Sequence, residues 1–143
     1  MRKLILILMI FQIVIVKNNL CAQSTYTFPA EKLEGKEWYI KFPDADYKKR
    51  PAQGICLVGD TLISFLYSNG VRNGVNASYY LSTTLDKTFV KSKIGKCKSG
   101  QYLIISDSSG VICAQILNLT ETELVLHCLW MNRQLSFTTK RPD

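Results

Sequence analysis

The chain has 143 residues, 47% of them hydrophobic, with 18 Lys and Arg against 11 Asp and Glu and a formal net charge of +7. That length suits one domain with one core rather than several. Three of the basic residues fall in the first 17 positions with no acid among them, so the rest of the chain is only mildly basic, far short of a nucleic-acid footprint.

The chain opens with Arg2 and Lys3, then an apolar run from Leu4 to Val16 broken only by Gln12, and then Leu20-Cys21-Ala22 before Gln23. This order of positive start, short apolar stretch and small residue is that of a secretory signal peptide cleaved after Ala22. A bilayer-spanning helix needs about 20 apolar residues, and Lys17-Asn18-Asn19 end the run too early for one. The expected mature protein is therefore residues 23–143, exported to a periplasm or to the outside, with no transmembrane segment after cleavage. Without Arg2, Lys3 and Lys17 it keeps 15 basic against 11 acidic residues, a net charge of +4.

Export places the remaining cysteines, Cys56, Cys97, Cys113 and Cys128, in an oxidising compartment, where an even number favours two disulfides. No Cys-x-x-Cys pair exists and the single histidine, His127, adjoins Cys128 on a predicted strand, where neighbours point to opposite faces. No metal site is expected.

Beyond Gln23 the sequence reads as short β segments: 38–42, 54–58, 61–67, 78–84, 88–91, 102–106, 111–117, 123–130 and 134–139. Each is rich in Ile, Val, Leu, Tyr, Phe or Thr. Residues 31–36 suit a short helical turn before the first strand. Gly59-Asp60, Asn69-Gly70, Asn73-Gly74, Lys98-Ser99-Gly100 and Asp107 to Gly110 supply the breaks. Such short connections join antiparallel neighbours, because a parallel pair needs a crossover of a dozen or more residues. The expected fold is all-β, a meander closing into a barrel of eight or nine strands, with a β-sandwich as the alternative. Lys91, Lys93, Lys96 and Lys98 suit a solvated edge, as Lys48-Lys49-Arg50 suits a turn.

A turn centred between Thr120 and Glu121 would set Cys113 directly opposite Cys128, at a separation that a disulfide tolerates. Cys56 and Cys97 are then left for each other; the alternative is buried thiols. The same register puts Leu117, Leu119, Leu124, Leu126 and Trp130 on one face and Ile112, Ala114, Ile116, Val125, His127 and Leu129 on the other. Both faces are apolar, so the outer one is expected to be covered by residues 24–33 or by a partner, for instance a second copy.

The motifs of acyl, phosphoryl or glycosyl transfer are missing: there is no Gly-x-Ser-x-Gly elbow and no phosphate-cradling glycine loop, and His127 has no acid or nucleophile beside it in sequence. The expectation is a non-enzymatic protein without a cofactor. Asp44 and Asp46 lack the further acids of a calcium loop. Asn76-Ala77-Ser78 and Asn118-Leu119-Thr120 match the glycosylation acceptor, which has meaning only in a eukaryotic secretory path. Aromatic residues on predicted strands, Phe65, Tyr67, Tyr80, Tyr102 and Trp130, are the candidates for lining a small-molecule cavity.

Two stretches resemble the small exported bacterial lipocalin-like domains. Leu33-Glu34-Gly35-Lys36-Glu37-Trp38 is similar to their opening Leu-x-Gly-x-Trp, and Ile116-Leu117-Asn118-Leu119-Thr120-Glu121-Thr122-Glu123-Leu124-Val125-Leu126 is similar to their late hairpin. The resemblance implies a compact antiparallel barrel that holds a small apolar or amphipathic ligand, with Trp38 closing one end. The rival expectation is a filled barrel whose apolar strip of Ile112, Ile116, Val125 and Leu129 docks another protein.

Overall fold

The computed structural model describes residues 26–43 and 50–142. The proposed leader and the Asp44/Asp46 pair lie outside them. Ten strands form: β1 (Phe28–Pro29), β2 (Glu37–Ile40), β3 (Gln53–Val58), β4 (Thr61–Ser68), β5 (Val71–Ser82), β6 (Ser99–Gly100), β7 (Tyr102–Asp107), β8 (Gly110–Leu119), β9 (Glu123–Cys128) and β10 (Arg133–Thr138). Eight of them close a barrel in the order β10-β2-β3-β4-β5-β7-β8-β9, every neighbour antiparallel, while β1 and β6 form a separate two-stranded ribbon. The barrel expectation is met with eight strands in the ring.

Local chemistry accounts for the corners. Asn69 and Gly70 both take positive φ, 52° and 77°, the pairing that lets a two-residue turn follow the twist of β4 and β5. Asn73-Gly74, expected as a turn, instead lies within β5, where Asn73 pairs with Leu66 and Gly74 with Phe65. The expected strand over 88–91 is absent. In its place a 3-10 turn spans Lys91–Lys93, inside a long excursion between β5 and β6. A second 3-10 turn covers Ala30–Lys32, part of the expected helical stretch.

One end of the barrel is plugged. Leu33 and Trp38 are 1% and 0% exposed, and the Trp38 indole Nε1–H donates to the Leu33 carbonyl at 2.9 Å. Leu57, Leu81, Leu119 and Leu124 pack around them. Tyr79 closes the same end, its hydroxyl donating to the Gly59 carbonyl at 2.9 Å and to Glu34 Oε1 at 3.3 Å. Burial, then the Glu34 carboxylate, push that phenol well above its ordinary value. Lys36 spans the plug, its ammonium 2.8 Å from Glu121 and 5.5 Å from the Trp38 ring centre. A side chain at Gly54 would collide with the Trp38 carbonyl, so β2 and β3 approach closely only because residue 54 has none.

The β8–β9 hairpin corrects the sequence reading. Leu119 faces Leu124 and Asn118 faces Val125, but Ile116 faces Leu126, because a bulge occupies Leu117. The bulge reverses the alternation within β8, so that Ile116 and Leu119 both point into the core while Leu117 is 46% exposed. The bulge thereby brings Ala114, Ile116, Leu119, Leu124 and Leu126 to one inward face, while Leu117, Val125 and His127 stay outside the core.

Candidate functional site

The wide part of the barrel lies toward the end that carries the β4–β5, β7–β8 and β9–β10 turns. At the plugged end the inward positions hold Leu and Trp; further along, the short side chains of Ser64, Ala77, Ala114 and Cys128 are interspersed among larger ones. They leave a cavity of about 290 Å³. Its deep wall is apolar: Leu62 from β4, Leu103 from β7, Leu126 from β9 and Phe137 from β10. Ile55, Val75, Ile105, Ile112 and Leu135 continue the wall toward the mouth. Two polar side chains line it, Ser64 and Asp107.

Asp107 ends β7, opposite Gly110. Its Oδ1 accepts from the Ser109 backbone N–H at 2.7 Å and from the Ser109 hydroxyl. These donors, with the Gly110 N–H, hold its carboxyl below the ordinary carboxylate range. Among the described residues no lysine or arginine is paired with it. Concave, mainly apolar walls with a few placed polar groups are what small-molecule sites share, and the volume sits at the small end of their range.

None of the five aromatic residues proposed from sequence lines this cavity. The pleat decides it for β4: Leu62 and Ser64 point inward, so Phe65 and Tyr67 point out. On the outside they form an edge-on aromatic cluster with Tyr39, with ring centres 5.5 Å and 5.9 Å apart. Arg72 lies 4.7 Å above Phe65 and pairs with Glu37 at 2.9 Å, and Arg141 lies 4.1 Å above Tyr67. Gly74 faces Phe65 across the strands and adds no side chain there. Tyr39 and Tyr67 both donate to Glu37 Oε2.

Tyr80 is also on the outer face, yet only 1% exposed, because the β5–β6 excursion folds over it. Its hydroxyl donates to Asp86 at 2.8 Å and accepts from the Val90 N–H at 3.2 Å, and the Phe89 ring packs against it, tilted by 46° with centroids 5.1 Å apart. Lys93 pairs with Asp86 at 2.6 Å and holds that carboxyl below its ordinary value, aided by hydrogen bonds from Tyr80 and Thr84. This internal segment covers the outer surface of β5, while Tyr26 and Phe28, from the stretch expected to cover the β8–β9 hairpin, line a groove with Gln115 and Leu117 of β8. Tyr102 precedes inward Leu103 and so lies on the outside, half-buried. Trp130 sits in the β9–β10 turn, 65% exposed.

The expected Cys113–Cys128 bridge is not present. The bulge and a longer turn place Ala114, not Cys113, opposite Cys128, and Cys113 faces Ile104 on its other side. Cys113 points outward, its thiol donating to the Asp86 carbonyl at 3.2 Å, while Cys128 points into the barrel. All four described cysteines, Cys56 and Cys97 included, are free thiols. Burial pushes the Cys56, Cys113 and Cys128 thiols up, away from the reactive thiolate.

The docking strip expected from Ile112, Ile116, Val125 and Leu129 does not exist as one surface, because Ile112 lines the cavity and Ile116 is 3% exposed. His127 faces away from the cavity, between Gln115 and Gln134. Among the described residues no three His, Cys, Asp or Glu side chains are grouped as metal ligands, and no helix is long and apolar enough to cross a membrane. Sequence reasoning missed the cavity-lining set; the run of small residues Ser64, Ala77 and Ala114 at inward positions was the signal that pointed to it. Comparison with family models, with curated proteins and with solved structures finds no match.

Proposed function

We propose that this is an exported, non-enzymatic binding protein whose barrel holds one small, mainly apolar molecule in the cavity beneath the β4–β5, β7–β8 and β9–β10 turns. The observation that carries the reading is the asymmetry of the interior. One half is packed to closure around Trp38, while the other keeps about 290 Å³ behind walls of Ile, Leu, Val and Phe. A filled scaffold gains stability from larger side chains at such positions, and retaining Ala77 and Ala114 forgoes it. Export rests on the Arg2-Lys3 start, the apolar run and Ala22. The Leu33–Trp38 plug adds support for a lipocalin-like relationship, since it does what the resemblance implies for Trp38.

The test is titration with N-phenylnaphthylamine, a neutral apolar fluorophore. Saturable enhancement at one probe per protein, lost in Ala77→Phe and retained in Trp130→Ser, is the expected result. Enhancement that follows Trp130 and ignores Ala77 would locate binding on the exposed turn and overturn the reading.

A further inference from the structure

We infer that the molecule held in this cavity is an amphiphile with a cationic head, an apolar chain or ring ending in an ammonium or amidinium group that sits against Asp107. The inference rests on the proposed function and narrows its ligand class. The deep wall offers nothing to a polar group, so the part of a ligand that enters first must be apolar. Among the described residues Asp107 is the one charged residue on the lining, at the mouth end of β7. Its neighbours orient it without neutralising it: the Ser109 hydroxyl and N–H are neutral donors, and no cationic side chain is paired with it among the described residues. Arg133, a charged residue at an inward position at the start of β10 opposite Cys128, is exposed and does not line the cavity. A carboxylate ligand would meet Asp107 as a like charge, whereas a cation gains a charge-assisted hydrogen bond with a partner already held in place. Ser64, the second polar group on the lining, accepts or donates equally and does not alter the preference.

The experiment compares decylammonium, decanol and decanoate as competitors of N-phenylnaphthylamine on the full mature chain, in the native protein and in Asp107→Asn. The asparagine carbonyl still accepts from Ser109, so the turn is kept while the charge is removed. Far-ultraviolet circular dichroism and the urea midpoint verify that the variant folds. The expected order is decylammonium, then decanol, then decanoate, with decylammonium about five-fold tighter than decanol, as a screened charge pair allows. Asp107→Asn should bring decylammonium and decanol within about two-fold and improve decanoate. If all three compete but rank alike in both proteins, or decanoate ranks first, the cationic-head inference is wrong while the cavity reading survives. If the probe binds and depends on Ala77 but none of the three competes, the inference is wrong while the cavity reading survives; if the probe itself fails, the proposed function falls and the inference with it.

Discussion

Replacing Ala114 by Leu probes the cavity through stability alone. Ala114 is 2% exposed and lies on the cavity wall between Leu103 and Cys128 of the neighbouring strands. In a packed interior the three added carbons would force neighbours off their rotamers at a cost of about 1–3 kcal/mol. Ala114 borders a cup of about 290 Å³, and although its own methyl is nearly covered the added carbons can extend into that space instead. Burying each CH2 contributes about 0.8 kcal/mol, for an upper limit of roughly 2.4 kcal/mol. Because the cup opens to solvent, about 1 to 2 kcal/mol is the expected gain. With a urea slope of about 2 kcal/mol per molar, the midpoint should rise by roughly 0.5–1 M at unchanged slope. The measurement is equilibrium urea unfolding followed by circular dichroism, in ligand-free protein. A loss of more than about 1 kcal/mol would mean that the interior is already filled at Ala114 and would refute the cavity on which the function is argued.

Four other outcomes are expected. Trp38→Phe should cost about 1–3 kcal/mol or more, since it strands the buried Leu33 carbonyl and leaves space in the plug, and urea unfolding reads it directly. Gly54→Ala should abolish or severely weaken folding, because its new carbon meets the Trp38 backbone oxygen; soluble yield and circular dichroism report it. The Asp86 carboxyl lies below its ordinary 3.8 in the folded protein, so its contribution is present above that value and is lost as pH falls through the folded one. Amide protection in residues 83–98, corrected for the intrinsic exchange rate at each pH, should therefore fall below about pH 4 before the barrel opens, and Asp86→Asn should remove that step. Intact mass should be identical before and after reduction, with four thiols alkylated on denaturation and half-exposed Cys97 labelled first in the folded protein.

Much of the fold is legible in the sequence because its determinants are local. Strand composition marks most of the ring, and Asn69-Gly70 states its own turn. The plug follows from the Leu33–Trp38 stretch. What stayed hidden depends on counting residues across turns. In the β8–β9 turn the Thr120 hydroxyl accepts from the Thr122 and Glu123 N–H groups, which lengthens the loop and moves the register away from a two-residue turn. The longer loop shifts the pairing by two residues and the bulge at Leu117 takes one back, so Cys113 ends one position away from Cys128. The same sensitivity misplaced the site. Large aromatics such as Phe65 and Tyr80 suggest cavity lining by their chemistry, whereas the parity of β4 and β5 puts them outside, under Arg72 and the β5–β6 excursion. A cavity is made where side chains are small, so Ala77 and Ala114 mark it better than any aromatic residue does.

The most direct test of ligand carriage is native mass spectrometry of the protein purified from the exported fraction of its own host. The proposed function requires a folded population heavier than the chain by one small molecule, released on denaturation and absent from the Ala77→Phe variant. Bare protein from that fraction, together with failure to take up N-phenylnaphthylamine or any decyl compound, would contradict it.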